Sequence, residues 1–485
     1  MDINFDSRRL KNNEYLFFTI IILISLIFIL FWYKFLPFSL IIILFLISFF
    51  GFILISLLSI RIGLLTFIIV SLFSNFFTQI FAFNLYDLKL IGIGPVIRDI
   101  FLLSLLTSWF FILSLKKDKS IYIPIRYPLV YMVIIAMYIL FSPDEKTAIL
   151  GFRNVAFYII IAYLSCNIFL YKIQIKKIVT VLVFMGIFLS IFSLDQPLTG
   201  GKLLKEIGFN YGTGGALVSY SGIIRSSAGI DNPLVFGIFL VTLILISLYL
   251  DKSTKKSKIF ITISIIIMFI ALVYTFSRGA MLALFGGIFL ISFFIKRYKI
   301  IIALTLLLAF ILVLLTFSDS YNFYNDNIYF MRFLSQDKSS KLSLSIRLNQ
   351  ISESLNYLKK NPLFGIGLGT QGAAKERFKD NIAPGIVTDN YYMQILLEMG
   401  LIGLFSFILL FFVLFKKAIR IYNNLGDIYL KRLALGITSC ITAVSIMNLF
   451  SSTFDSRIFN IFFWFLIGLL FSLENVENNN KSEKL

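Results

Sequence analysis

Histidine is absent from this 485-residue chain. Its absence removes both the commonest side-chain acid/base near neutral pH and the commonest zinc ligand. Cysteine is nearly absent: Cys166 and Cys440 both fall inside apolar runs and imply no disulfide framework. Charge is scarce too, at 14% of residues against 59% hydrophobic, and the mean hydropathy is +0.92. No soluble fold needs so much apolar surface, so the composition is that of a polytopic membrane protein. The first apolar stretch begins near Tyr15, after Arg8, Arg9 and Lys11, and has no Ala-x-Ala-like end. It reads as an uncleaved first span, not a signal peptide.

What is present is a succession of apolar runs. Measured against the ~20 residues a helix needs to cross a bilayer, they predict an all-α bundle of about 14 transmembrane helices. These lie near 15–32, 36–60, 62–83, 98–115, 127–141, 149–171, 178–194, 232–250, 258–276, 279–295, 300–317, 392–415, 432–450 and 457–472. The net charge of +19 is no nucleic-acid footprint, because the basic residues are distributed between spans. Every second connection is basic: Arg61; Lys116, Lys117 and Lys119; Lys172, Lys176 and Lys177; Lys252, Lys255, Lys256 and Lys258; Lys296, Arg297 and Lys299; Lys416, Lys417, Arg420, Lys431 and Arg432. The positive-inside rule makes these connections cytoplasmic and both termini with them, an N-in/C-in topology.

The long connections fall on the outer side. The expected organisation is a transmembrane bundle over 1–317 holding spans 1–11, with an outer loop at 195–231. A large outer loop over 318–391 lies between spans 11 and 12, spans 12–14 occupy 392–472, and a disordered cytoplasmic tail covers 473–485. Within the large loop, 344–360 has amphipathic helical periodicity and reads as a helix lying on the membrane surface or capping a cavity.

Arginines on the outer side run against that topology, so each asks for a reason. Arg278 lies in the tight turn Ser277-Arg278-Gly279, open to a snorkelling reading or to a functional one. Arg225 precedes Asp231-Asn232-Pro233, a pattern that starts a helix with a cap and proline at the first position. An outward-facing helix N-terminus beside an arginine suits an anion such as phosphate. Arg347 belongs to the amphipathic stretch, and Arg153 lies inside an apolar span, where ionisable groups usually face the bundle interior. Asp389 and Asn390 open a span as a cap, and Asn390, Gln394 and Glu398 then recur at one-turn spacing on one helix face. Gly400 and Gly403 read as close-packing positions. The stretch 361–369, NPLFGIGLG, reads as a glycine-rich tight turn or as a nest of amides for an anion.

The NPLFGIGLG element, followed by Asp389-Asn390, nine residues and Gly400-Leu401-Ile402-Gly403, resembles the O-antigen ligase and polymerase superfamily. The Ser277–Gly279 turn and the spacing of Arg225, Asn232, Pro233 and Gly237 are similar to the family's layout, and the likeness is best over about 220–472. The ligase branch is associated with a histidine where this chain has Asp389, which favours the polymerase branch. The resemblance implies glycosyl transfer between undecaprenyl-diphosphate-linked glycans at the periplasmic face of a bacterial inner membrane. Arg225, Arg278 and Arg347 would hold the departing diphosphate, with Asp389 taking the acceptor proton or orienting that sugar. Arg153, Asn390, Gln394 and Glu398 would contact glycan or diphosphate. It implies no cofactor and no nucleic acid, a metal-independent reaction and, as a further partner, a chain-length regulator protein. The nearest alternatives are an O-antigen ligase or a protein O-glycan transferase. A lipid-linked oligosaccharide flippase belongs to another class and is expected to show internal repeats, which the sequence lacks.

Overall fold

The computed structural model describes residues 49–84, 93–115, 121–206, 224–250, 254–294, 349–359, 361–371 and 389–482, with Lys296 and Lys299. Among these residues the regular elements are helices. Seven of the described helices are long and apolar enough to cross a membrane. The expected spans near 15–32 and 300–317, and most of that near 36–60, lie outside the described residues. The chain is thus a polytopic, helical membrane protein.

Contacts divide the chain into two units. In the first, made of 1–122, 167–169 and 201–213, α1 (Ile60–Asn84) packs on α2 (Ile93–Leu115). Phe52, in the helical stretch Phe49–Leu58 before α1, meets Phe101 of α2 edge to face at 4.7 Å. The second unit, made of 123–166, 170–200 and 214–485, holds the other helices named below. They are α3 (Tyr127–Phe141), α4 (Glu145–Val155), α5 (Ile160–Ile168, whose last two residues count with the first unit) and α6 (Lys172–Ser193). Then come α7 (Pro233–Leu248), α8 (Lys255–Tyr274), α9 (Arg278–Phe294), α10 (Tyr391–Asn424), α11 (Ile428–Met447) and α12 (Arg457–Ser482).

Helices α7 and α12 are the core of this unit. α7 is buried from Val235 to Ser247 and is surrounded by α8, α9 and α11. On α12 the run Phe459, Phe462, Phe463 and Trp464 is buried, and Gly468 lets its backbone approach Ala162 of α5. The outer helices leave apolar side chains uncovered: Ile259, Ile263, Ile266 and Ile270 on α8, and Phe405, Ile408 and Phe412 on α10. Such stripes are stable only where the solvent is hydrocarbon.

Helices α6 to α9 alternate in direction, α10 runs parallel to α9, and α10 to α12 alternate again, so the second unit has two chemically different ends. One end collects Lys172, Lys176, Lys417 and Lys431. There Lys417 Nζ meets Glu474 at 2.7 Å, and the Gly426 N–H donates to Glu477 at 3.0 Å. The Asn479 amide donates to the Leu170 carbonyl at 3.2 Å, and Val476 is buried. These partners keep α12 helical as far as Ser482. The disordered tail expected over 473–485 is therefore corrected for 473–482: Glu474 and Glu477 anchor the end of α10 and the turn after it, and are not a solvated run, while 483–485 lie outside the described residues. The other end gathers the N-termini of α7, α9, α10 and α12 with the C-termini of α8 and α11.

A second difference concerns the span expected near 149–171. It starts earlier, with Asp144 accepting from the Lys146 and Thr147 N–H groups, and breaks at Ala156 (φ −126°) into a short 3-10 turn before α5. The Asn154 carbonyl beside that break accepts from the Asn460 amide of α12.

At the basic end Asp427 caps α11, accepting from the Tyr429 N–H at 2.9 Å and the Leu430 N–H at 3.1 Å, and pairs with Lys172. Burial alone would push this carboxyl up, but the Lys172 bond, the two N–H donors and the Lys172 charge outweigh it and hold it below its ordinary value. A depressed carboxyl contributes stability that is present above its unfolded value and lost as pH falls through the folded one. Asp427→Asn is expected to flatten the loss of thermal stability between about pH 5 and pH 2. Parallel curves for wild type and variant would remove this ion pair from the acid response.

Candidate functional site

The NPLFGIGLG segment and the Gly400-x-x-Gly403 element form one structure. α10 breaks at Gly400, whose φ of +64° and ψ of −162° lie outside helical space. In a continuous helix the Leu401 and Ile402 N–H groups would bond to the Leu397 and Glu398 carbonyls. Here Leu401 donates to the Pro362 carbonyl at 2.9 Å and Ile402 to that of Leu363 at 3.3 Å. The two freed helix carbonyls accept from Ile366 at 2.8 Å and Gly367 at 3.1 Å. Backbone from 362–367 thus replaces the missing helical bonds on both sides of the break. The approach leaves no room for side chains: a Cβ on Gly400 would lie 2.3 Å from the Leu363 carbonyl, and one on Gly365 would lie 2.4 Å from that of Leu397. Tyr138 of α3 donates to the Met399 carbonyl at 2.8 Å and satisfies a further group beside the break.

The half-helix before the break carries the polar stripe. Asn390 caps it, accepting from the Met393 N–H at 3.1 Å, and Asp389 is exposed just outside. Gln394 and Glu398 are 2% exposed. The Glu398 carboxylate accepts from the Gln371 N–H at 3.0 Å, and the Gly369 N–H and the Gln394 side chain also bond to it. Asp455, Tyr131 and Tyr391 lie within its electrostatic reach. Asn154 donates to Asp455 at 3.4 Å, which brings the last turn of α4, and with it half-buried Arg153, to the same region. Beneath sits a cluster of rings: Tyr391–Phe407 at 5.3 Å, Phe411–Phe454 at 5.7 Å and Phe454–Phe463 at 5.1 Å.

The two arginine loops adjoin one another. Half-buried Arg225 donates from Nε to the Thr275 carbonyl at 2.8 Å, and the Ser226 N–H donates to the Tyr274 carbonyl at 3.0 Å. Thr275 lies three residues before exposed Arg278, which opens α9. Buried Gln196 shapes the first loop: its Oε1 accepts from the Ser227 N–H at 2.7 Å and the Ala228 N–H at 2.9 Å, and its amide donates to Ser227 Oγ at 3.0 Å. Of the three described non-glycine residues with positive φ, two are here, Ala228 (52°) and Phe276 (50°). Strain of this kind, of order 1–3 kcal/mol per residue, persists only where surroundings enforce it and concentrates at functional sites.

A chain of contacts connects these loops to α10. Gly279 lies against Phe450 and Met447 at the end of α11, and the Tyr391 N–H donates to the Asn448 carbonyl at 3.0 Å. Arg225, Arg278, Asp389 and Asn390 therefore stand at one end of the second unit, opposite the lysine-rich end. Gln394 and Glu398 lie inward of Asp389. Arg347 lies outside the described residues, and of the amphipathic stretch 344–360 the described part is 349–359, helical over 349–358.

Two sequence expectations change in kind. The amides read as an anion nest in 361–369 are spent: Gly365, Ile366 and Gly367 donate to backbone and Leu368 donates to Ser142 Oγ at 2.7 Å. Gly400 is the site of a helix break rather than a packing contact between helices. Sequence reading did not single out Gln196, Tyr131, Gln371, Tyr391 or Asp455. For Tyr131 and Gln371 the available signal was a polar group within an otherwise apolar or glycine-rich run.

Residues 263–408 match the family described as O-antigen ligase, a range that includes the Arg278 turn, the 361–369 segment and the Gly400 break. The chain is 28% identical over 412 residues to a protein from Salmonella muenchen named O-antigen polymerase, covering 78% of this chain and 96% of that protein. The resemblance to the O-antigen ligase and polymerase superfamily therefore holds over most of the chain.

The break makes a testable distinction between glycines. Gly400→Ala is expected to cost ~3 kcal/mol or more, because positive φ and a blocked Cβ add. Gly200 also has positive φ (72°) but nothing within 4 Å of an added Cβ, so Gly200→Ala should cost only ~1 kcal/mol. Thermal unfolding in detergent micelles measures both, and equal losses would contradict the interlocked geometry.

Proposed function

We propose that this protein is a polymerase that joins undecaprenyl-diphosphate-linked oligosaccharide repeat units into a surface polysaccharide of the O-antigen kind. The proposal includes about fourteen spans with both termini cytoplasmic, and a site at the periplasmic face of the inner membrane. The site end of the second unit lies opposite its lysine-rich end, which supports that orientation.

In the reaction a hydroxyl oxygen of the acceptor sugar attacks the anomeric carbon of the donor glycan. The bond from that carbon to the diphosphate oxygen breaks, and its electron pair leaves with the lipid diphosphate. The acceptor proton passes to the Asp389 carboxylate. Stabilising the departing negative charge is the main electrostatic task, and a guanidinium suits it by pairing with two phosphate oxygens while staying charged. The observation that carries the reading is the bond from Arg225 to Thr275, which fastens one arginine loop to the turn bearing Arg278. Arg347 is proposed as a third contact, and Arg153, Asn390, Gln394 and Glu398 as groups toward glycan or diphosphate. The arginines supply positive charge that divalent ions provide in many phosphate sites, and the reaction is proposed to need no metal. A chain-length regulator is proposed as a partner.

A second reading, transfer of finished glycan to a different acceptor, is favoured by the family description of residues 263–408. The two part on one assay: purified protein is incubated with lipid-linked repeat units and the length of lipid-linked glycan is followed. A polymerase lengthens it, a ligase leaves it unchanged until its own acceptor is added, and a flippase forms no linkage. Arg225→Ala and Arg278→Ala are each expected to slow chain growth ~100-fold, and EDTA to leave it unchanged. Asp389→Asn should slow it ~100-fold or more if the carboxylate is the base. Wild-type rates in both arginine variants would rule out the diphosphate clamp.

A further inference from the structure

Behind Asp389 the second unit buries more polar atoms than it pairs. Tyr131, Tyr391 and Asn448 are 0% exposed, Gln371 is 1% and Gln394 is 2%. Among the described residues, the Tyr131 and Tyr391 hydroxyls, both polar atoms of the Gln371 carboxamide, Gln394 Oε1 and Asn448 Nδ2 have no hydrogen-bond partner. The residues that carry these atoms adjoin one another. Tyr131 and Tyr391 both flank the Phe407 ring, at 6.4 and 5.3 Å, and both lie within electrostatic reach of Glu398. Glu398 accepts from the Gln371 backbone and bonds to Gln394, while Tyr391 donates its backbone N–H to Asn448. Buried polar groups in folded proteins are nearly always hydrogen-bonded, and each one left alone costs about 1–3 kcal/mol. Several together point to a ligand that completes them.

The chemistry of the unpaired atoms selects the ligand class. Asn448 Nδ2 offers a donor and Gln394 Oε1 an acceptor, and the phenols and the Gln371 amide offer both. An anion would meet acceptors it cannot satisfy and the carboxyl groups of Glu398 and Asp455. Among the described residues no three His, Cys, Asp or Glu side chains converge to hold a metal ion. A hydroxyl group donates and accepts at once and is neutral, and the Phe407 and Phe454 rings beside Tyr391 offer apolar faces to a ring that carries such groups.

We propose that Tyr131, Gln371, Tyr391, Gln394 and Asn448 form a buried site for neutral hydroxyl groups, immediately inward of Asp389. Two sources share that chemistry: ordered water, and the hydroxyls of an acceptor sugar. The second source rests on the glycosyl-transfer reading; the site itself does not.

The test uses full-length protein in nanodiscs and the Tyr131→Phe/Tyr391→Phe double variant, which removes two hydroxyls and keeps both rings. The single variants serve if the double variant does not fold. Thermal unfolding is recorded with and without millimolar lipid-free oligosaccharide of the repeat unit, a probe without phosphate. If the saccharide raises the melting temperature of wild type and not of the variant, the site takes sugar hydroxyls. If the variant melts about 2 °C or more below wild type and the saccharide acts on both alike, the occupant is ordered water and the site stands. If the variant melts no lower than wild type and the saccharide again acts on both alike, the phenols sit in a dry core and the proposal is overturned. No arm needs turnover, so a protein that makes no glycosidic bond still decides the question.

Discussion

The exchange of backbone hydrogen bonds between 362–367 and the broken α10 is the interaction on which the rest of the second unit's polar end depends. In a bilayer a helix cannot open without partners, because each unsatisfied N–H or carbonyl costs several kcal/mol. The two donors freed after Gly400 and the two acceptors freed before it are all taken by one segment. That segment in turn brings Gln371 to Glu398. A carboxyl group nearly two turns into a membrane helix thereby meets backbone donors instead of hydrocarbon. The break also separates the half-helix from Tyr391 to Met399 from the rest of the span. The capped end of that half-helix is held to α11 through the Asn448 carbonyl.

The same principle shapes the arginine loops. Irregular backbone is tolerated at membrane depth where protein groups satisfy it, and Gln196 does so for the Ser227–Gly229 bend while Thr275 receives Arg225. Strained residues in both loops imply that the positions of Arg225 and Arg278 are imposed by their surroundings, not by local preference. Rigid placement of cations is what a site for a departing diphosphate requires, because donors already in position need no reorganisation when charge develops.

Local signals in the sequence were readable, and long-range ones were not. Asn232-Pro233 and Asn390 start helices as their residue types dictate, because a cap depends only on its own first turn. The polar stripe of Gln394 and Glu398 could also be read from spacing, whereas 361–369 read only as a glycine-rich turn or a nest of amides. The Gly400 break could not, since Gly-x-x-Gly fits helix packing equally well and the deciding partners lie more than thirty residues away. Likewise nothing in the run Phe157–Ile168 announces the break at Ala156, whose neighbouring carbonyl is satisfied by Asn460. Glu474 and Glu477 read as solvated tail because Lys417 and Gly426 are distant in sequence.

Amide hydrogen exchange across 362–367 and 397–402, in the full-length protein in lipid, addresses the central claim most directly. The interlocked arrangement predicts that Ile366, Gly367, Leu401 and Ile402 are protected together and lose protection in one cooperative step. Fast exchange of Ile366 and Gly367 beside continuous protection from Met393 to Leu410 would mean that α10 is an unbroken helix and 361–369 a free loop, and the account would fail.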